Sequence, residues 1–238
     1  MVTSIVSTIV FIVFILLIHR GGYSPPPCPS EKPNREYIEV GILVGCLLIV
    51  PLIKFNLFWY SGWLSAYLVF GVFSPLIMEL VVRKRKLSVI GFRKPTNDKV
   101  LFLVAGILGL YMISRLVVPL LAGAAYTFNW RDFISNTIIF AFLEEVLFRG
   151  LIQTRLESAL GAIWSWVLTG LFFGFYHYYV HYLVPGQALI IANLFELVFL
   201  TVFGMMLGVV FAKTRSLIPS YLIHAINNLS PFAMQFRR

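Results

Sequence analysis

Eight runs of mainly apolar residues, most of them roughly 20 residues long, divide almost the whole of this chain. A run of this length can cross the hydrocarbon core of a bilayer as a single α-helix. The pattern therefore predicts transmembrane helices, the last of them short. The predicted spans are residues 2–18, 38–58, 62–82, 100–122, 133–151, 159–180, 189–212 and 217–232.

The composition indicates the same class of protein. Charged residues make up 12% of the chain, whereas soluble domains usually carry about 25%, and the mean hydropathy is +0.87. The sequence shows no internal repeat and no separate soluble domain. We therefore expect an all-α fold, a polytopic integral membrane helical bundle of about eight transmembrane helices, which forms a single membrane domain over residues 1–238.

Nine of the 19 Lys and Arg residues lie in two short loops between the predicted spans, and the net charge is +9. An excess of Lys and Arg marks the cytoplasmic loops of membrane proteins, and these side chains would also meet anionic lipid headgroups. The charge thus predicts cytoplasmic basic loops and no nucleic-acid partner. The residues concerned are Arg83, Lys84, Arg85, Lys86, Arg93, Lys94, Lys99, Lys213 and Arg215.

Three charged residues interrupt the apolar run from residue 138 to residue 152: Glu144, Glu145 and Arg149. A charge near the bilayer centre costs at least about 2.5–3.5 kcal/mol, so such residues usually face the protein interior and have a function. Glu145 and Arg149 are spaced to pair on one helix face. Glu144 points about 100° away and is a candidate general base. By spacing alone, a buried ion pair that locks helices together is equally consistent.

Two histidines lie in similarly apolar surroundings. His177 follows an aromatic-rich run, and His224 stands one helical turn before Asn228. The second pair places an imidazole and an amide on one helix face. Each pattern alone is weak, because a lone histidine among tyrosines is more often an interface anchor than a catalyst.

The ordered combination of motifs is more specific. EExxFRG at 144–150, FxxxH at 173–177 and HxxxN at 224–228 occur in this sequence in that order. The series resembles the CAAX-processing and bacteriocin-processing (CPBP/Abi) intramembrane protease family, which includes the type II CAAX prenyl endopeptidases. The resemblance covers residues 133–229, which we interpret as the catalytic core.

The resemblance implies a role for each motif residue. Glu144 would be the general base that activates a water molecule, and His177 would hold or share that water. His224 and Asn228 would stabilise the oxyanion, while Glu145 and Arg149 would support the site. The implied enzyme is an intramembrane endopeptidase that cleaves near the C-terminus of a prenylated, or otherwise lipidated or membrane-tethered, peptide. It would lie in the plasma membrane of a prokaryote or the endoplasmic reticulum membrane of a eukaryote.

Three alternatives remain open at the level of the sequence. Glu144, His177 and His224 would supply an adequate ligand set for Zn²⁺ with an open water position, so a zinc-dependent protease competes with the metal-free mechanism that we expect. A bacteriocin self-immunity protein without essential proteolysis is the second alternative. A small transporter with a carboxylate proton relay is the third, although no inverted repeat supports it.

Overall fold

The computed structural model describes residues 2–20, 22–23, 33–57, 72–121, 123, 125–186, 191–229 and 234–237. The first half of this part of the chain is helical. Helix α1 is Val2–His19, α2 is Pro33–Leu57, and α3 comprises Ser74–Ile77 with the π-helical turn Met78–Val82. After a 3₁₀ turn at Leu87–Ile90, α4 comprises Asp98–Met112, a π-helical turn Ile113–Val117 and Val118–Leu121.

The second half carries the residues singled out by the sequence. Strand β1 is Ala125–Phe128. Helix α5 then runs from residue 130 to residue 160 as the segments Trp130–Asp132, Phe133–Phe140, Ala141–Glu145, Val146–Gln153 and Thr154–Leu160, the second and fourth of which are π-helical. Helix α6 comprises Ala162–Tyr178 and the π-helical turn Tyr179–Leu183, α7 is Ile191–Thr214, α8 is Leu217–Asn228, and strand β2 is Met234–Arg237.

Each of the eight predicted spans contains helix, although residues 62–71 of the third lie outside the described residues. The number of membrane crossings stays a prediction. Among the described helices, only Asn193–Thr214 is both long and apolar enough to pass a length and hydropathy test for a span. The structure also adds an element that the sequence did not predict, an antiparallel pairing of β1 with β2. Short strands so distant in sequence pair only because the fold brings them together.

Helices α6 and α7 approach closely through glycines spaced four residues apart on each helix, Gly170 and Gly174 on α6 with Gly204 and Gly208 on α7. A Cβ atom added at Gly174 would stand 2.1 Å from the Thr201 hydroxyl oxygen, and one added at Gly170 would stand 2.4 Å from the Met205 side chain. Small residues at this spacing let helix backbones pack against each other in membranes. The glycines therefore set the distance between α7 and α6, the helix that carries His177.

The basic loops gather at one end of the bundle. The backbone nitrogen of Leu217 donates to Gly91 O at 3.0 Å, and the hydroxyl of Thr96 donates to Thr214 O at 3.0 Å, so the loop before α4 contacts the turn between α7 and α8. Arg215 of that turn pairs with Glu157 near the end of α5 at 2.7 Å. These contacts fit a bundle whose successive helices alternate in direction.

A buried network of acidic and basic side chains closes the same end. Glu79 accepts from Arg83 at 3.2 Å, from Arg85 at 3.0 Å and from Arg155 at 2.7 Å, and Arg83 also reaches Glu36 of α2 at 3.1 Å. Buried charges are tolerated only when they are paired. The network therefore ties α2, α3 and α5 together where the basic loops lie.

We expect Gly174→Ala to destabilise the protein, because the new methyl group would overlap Thr201 of α7. Overpacking of this kind typically costs about 1–3 kcal/mol. Thermal unfolding in detergent measures the effect. The matched control is Gly109→Ala on α4, where nothing lies within 4 Å of an added Cβ and the helix propensity of alanine is favourable. Equal melting temperatures for the two variants would contradict this account of the α6–α7 contact.

Candidate active site

Helix α5 presents two adjacent glutamates to different surroundings. The Glu145 carboxylate and the Arg149 guanidinium form the pair that the spacing predicts, with 3.4 Å between Oε2 and Nε, and both side chains have 0% exposure. Glu144, in contrast, keeps 18% of its side chain exposed. Part of the Glu144 side chain is therefore open to water, although its Oε2 atom is buried, whereas the Glu145 side chain is fully enclosed.

Arg149 links α5 to α6 and α7. Its Nη2 donates to the backbone oxygen of Gly204 on α7 at 2.9 Å, and its guanidinium carbon lies 4.9 Å from the centre of the Phe173 ring on α6. A hydrogen bond from a charged group and a cation–π contact are both strong when they are shielded from water. Arg149 thus fixes α5 against its two neighbours.

The two histidines converge on one oxygen of Glu144. The Nε2 atom of His177 lies 3.4 Å from Oε2, and the Nε2 atom of His224 lies 3.5 Å from the same oxygen. Counted from the basic end of the bundle, Glu144 on α5 and His177 on α6 both lie roughly 20–25 Å along their helices at 1.5 Å per residue. The two residues therefore lie at the same height along the bundle.

The second nitrogen of each ring fixes its orientation. Nδ1 of His177 lies 2.9 Å from the backbone oxygen of Phe173, and Nδ1 of His224 lies 2.9 Å from Oε1 of Glu145. A carbonyl and an ionised carboxylate only accept, so each Nδ1 carries a proton. In the neutral rings, both Nε2 atoms then present a lone pair to Glu144. Oε2 of Glu144 and the two Nε2 atoms are then three acceptors that meet at one point. A proton, or a donor such as water, is needed between them.

The contact between Glu145 and His224 adds to the predicted pair. The spacing within α5 pairs Glu145 with Arg149, and the structure shares that carboxylate between Arg149 and His224. No pattern in the sequence signals this contact, because the two residues are far apart in the chain and meet only when α8 packs on α5.

Phe173 is the aromatic residue of the second motif, and the sequence gives it no role. Its ring centre lies 4.3 Å from that of His177 and 5.7 Å from that of His224. It is 1% exposed and also lies under Arg149. Phe173 therefore forms an apolar wall that holds both imidazoles and separates them from Arg149.

Asn228 lies one turn beyond His224 on α8. Its Nδ2 donates to the backbone oxygen of Asn136 at 3.2 Å, on the part of α5 that precedes Glu144 by two turns. The adjacent Asn227 turns to α4, where its Oδ1 accepts from the hydroxyl of Tyr111 at 3.2 Å. The amide of Asn228 is thus held between α5 and α8 on the side of Glu144 that faces the start of α5.

The comparison with known families concerns the part of the chain that carries Glu144, His177 and His224. Residues 126–230 match a family model described as Type II CAAX prenyl endopeptidase Rce1-like. This region is similar to the Rce1-like family. The family resemblance of the three motifs is thereby confirmed. The family comprises membrane-embedded CAAX-type proteases. No curated protein and no solved structure matches the chain.

The Rce1-like region includes α5 to α8, so all six predicted site residues fall within it. Helices α1 to α4 lie outside the matched residues. Among the residues that the structure describes, no group of three or more His, Cys, Asp or Glu side chains is arranged to hold a metal ion. The predicted zinc ligands Glu144, His177 and His224 are neighbours, as described above, without forming such a group.

We expect Arg149→Met to lose about 3–5 kcal/mol of stability, because it leaves the Glu145 carboxylate buried without its cation. The double variant Glu145→Leu with Arg149→Met should lose less than Arg149→Met alone, since no unpaired charge then remains. Chemical unfolding in detergent measures both. The control is Arg131→Met at the exposed start of the same helix, which should stay within about 0.5 kcal/mol of the wild type. A double variant less stable than the single one would contradict the pairing.

Proposed function

We propose that this protein is an intramembrane endopeptidase that hydrolyses a peptide bond near the C-terminus of a prenylated or membrane-tethered substrate. The observation that carries the proposal is the convergence of two imidazoles on one buried oxygen of a partly exposed glutamate, Glu144, inside the Rce1-like region. Three acceptors that meet at one point favour a donor such as water between them, and the carboxylate among them can take a proton from that water.

In the proposed reaction, Glu144 removes a proton from a water molecule that His177 holds. The water oxygen forms a bond to the scissile carbonyl carbon, and the carbonyl oxygen becomes an oxyanion. His224 and Asn228 donate to that oxyanion, which requires the doubly protonated form of His224 because its Nδ1–H is held by Glu145. The carbon–nitrogen bond then breaks, and the protonated Glu144 gives its proton to the leaving amine.

The supporting pair has a defined part in this scheme. Glu145 orients the His224 ring through the 2.9 Å contact with Nδ1, while Arg149 offsets the charge of Glu145 and anchors the helix. A second carboxylate that orients a histidine is a recurrent device in hydrolytic sites. The two adjacent glutamates therefore take different roles, one as a base and one as a support.

The substrate class and the location follow from the same proposal. The partners are a lipidated or membrane-tethered peptide and the lipid bilayer, with no nucleic acid. The end of the bundle that carries the basic loops faces the cytoplasm, because Lys and Arg concentrate on that side of membrane proteins. The contacts that bring the loops before α4 and after α7 together place their basic residues at one end of the bundle.

Metal dependence separates two versions of the proposal. In our version the enzyme needs no cofactor, and Asn228 acts on the oxyanion. In the alternative, Glu144, His177 and His224 would hold Zn²⁺, which would lower the pKa of a bound water and polarise the carbonyl. The donor set suits zinc in chemical type, but the alternative gives Asn228 no place among the ligands.

We expect Glu144→Gln to lower cleavage of a farnesylated CAAX peptide by about 10²–10⁴-fold, because the amide cannot accept a proton from water. His224→Ala should also abolish detectable cleavage. The purified variants are assayed by mass spectrometry of the released peptide, with the melting temperature as a check on folding. The isosteric control is Asp132→Asn on the same helix, whose carboxylate accepts from Asn129 at the helix start, about three turns before Glu144. If cells that carry the Glu144→Gln variant were still protected against a bacteriocin, the self-immunity alternative would be favoured.

The second experiment compares farnesylated and unmodified CAAX peptides, each with and without a chelator. We expect cleavage of the farnesylated peptide only, at a rate that the chelator does not change. Equal cleavage of both peptides would contradict the prenylated substrate class. Full inhibition by the chelator, reversed by added Zn²⁺, would establish the zinc version instead.

A further inference from the structure

A chain of side-chain hydrogen bonds runs from α4 through α8 to α5. The hydroxyl of Tyr111 donates to Oδ1 of Asn227 at 3.2 Å, Nδ2 of Asn227 donates to Oδ1 of Asn228 at 3.4 Å, and Nδ2 of Asn228 donates to the backbone oxygen of Asn136 at 3.2 Å. The chain therefore joins one residue of the candidate site, Asn228, to a tyrosine outside the Rce1-like region.

The chemistry of the terminal acceptor fixes the direction of the whole chain. The backbone oxygen of Asn136 only accepts, so Asn228 must turn its nitrogen towards it and its oxygen towards Asn227. Asn227 must then offer its nitrogen to Asn228 and its oxygen to Tyr111, whose hydroxyl must donate. Each amide has a single orientation that satisfies both of its neighbours. One N–H of Asn228 is used on Asn136, and in the proposed reaction the second one would donate to the oxyanion.

Tyr111 is placed to hold this orientation. Its side chain is 7% exposed, and its ring stacks on Phe11 of α1 with 5.6 Å between ring centres and 10° between planes. The hydroxyl is thus held by a rigid aromatic pair at the contact between α4 and α8. Without that hydroxyl, Oδ1 of Asn227 would face a phenyl edge, and an unsatisfied acceptor in such surroundings favours reorientation of the amide.

We propose that Tyr111 is a positioning residue for the oxyanion site, which acts through Asn227 to keep an N–H group of Asn228 directed at the reacting carbonyl. The inference rests on the proposed function. It also gives α1 and α4 a role in catalysis, because the Phe11–Tyr111 stack supports the second of the two predicted oxyanion donors.

Tyr111→Phe tests the inference because it removes the hydroxyl and keeps the stacked ring. With a farnesylated CAAX peptide as the probe, we expect kcat to fall about 3- to 10-fold, as the loss of one hydrogen bond in a chain predicts, with KM unchanged. In an Asn228→Ala background the same change should lower kcat less than about 2-fold, because two residues that act through one group are not additive. Asn227→Asp, which removes the donor to Asn228, should reproduce the loss.

The matched control is Tyr179→Phe, which removes a hydroxyl that donates to Leu48 O at 2.8 Å in another helix contact. We expect it to leave kcat within about 2-fold of the wild type. A loss of kcat in Tyr111→Phe that adds fully to that of Asn228→Ala, or a change in KM alone, would overturn the inference and leave the proposed function intact. A wild-type protein that cleaves no CAAX peptide would overturn the proposed function, and the inference with it.

Discussion

The buried carboxylate of Glu145 is the group on which the candidate site depends. Removing such a charge from water costs several kcal/mol, and the cost is offset only by well-placed partners. Arg149 supplies one partner from the next turn of α5, and Nδ1 of His224 supplies the other from α8. Because both contacts are needed, α5 and α8 are held in one register. That register brings the other nitrogen of His224 to Glu144.

Helix α7 is held against α5 through a backbone carbonyl rather than through a charged side chain of its own. Gly204 has no side chain between its carbonyl and α5, and this carbonyl accepts from Arg149. An added Cβ at Gly204 would stand 3.0 Å from the Cβ of Phe173, so the same glycine also allows α6 to approach. Phe173 then contacts both imidazoles and the guanidinium. Close backbone packing and the polar cluster are therefore parts of one arrangement.

The sequence predicts much of this molecule from local rules. Apolar run lengths predict a helix in each of the eight segments, and the spacing of Glu145 and Arg149 predicts their pairing. The positions of Lys and Arg predict that the basic loops share one side, and the loops before α4 and after α7 do contact each other. The limits of the apolar runs are less informative, since α5 extends well beyond residues 133–151 into polar sequence.

By itself, the sequence determined the helical class, the candidate residues Glu144, His177, His224 and Asn228, and the resemblance of residues 126–230 to the Rce1-like family. Periodicity and motif order suffice for these, because they depend on neighbours within one helix. Only the tertiary structure decided which nitrogen of each histidine meets Glu144, that Glu145 is shared with His224, and that Tyr111 reaches the amide of Asn228 through Asn227. Those contacts join helices far apart in the chain, and their geometry depends on packing distances that no spacing within a single helix encodes.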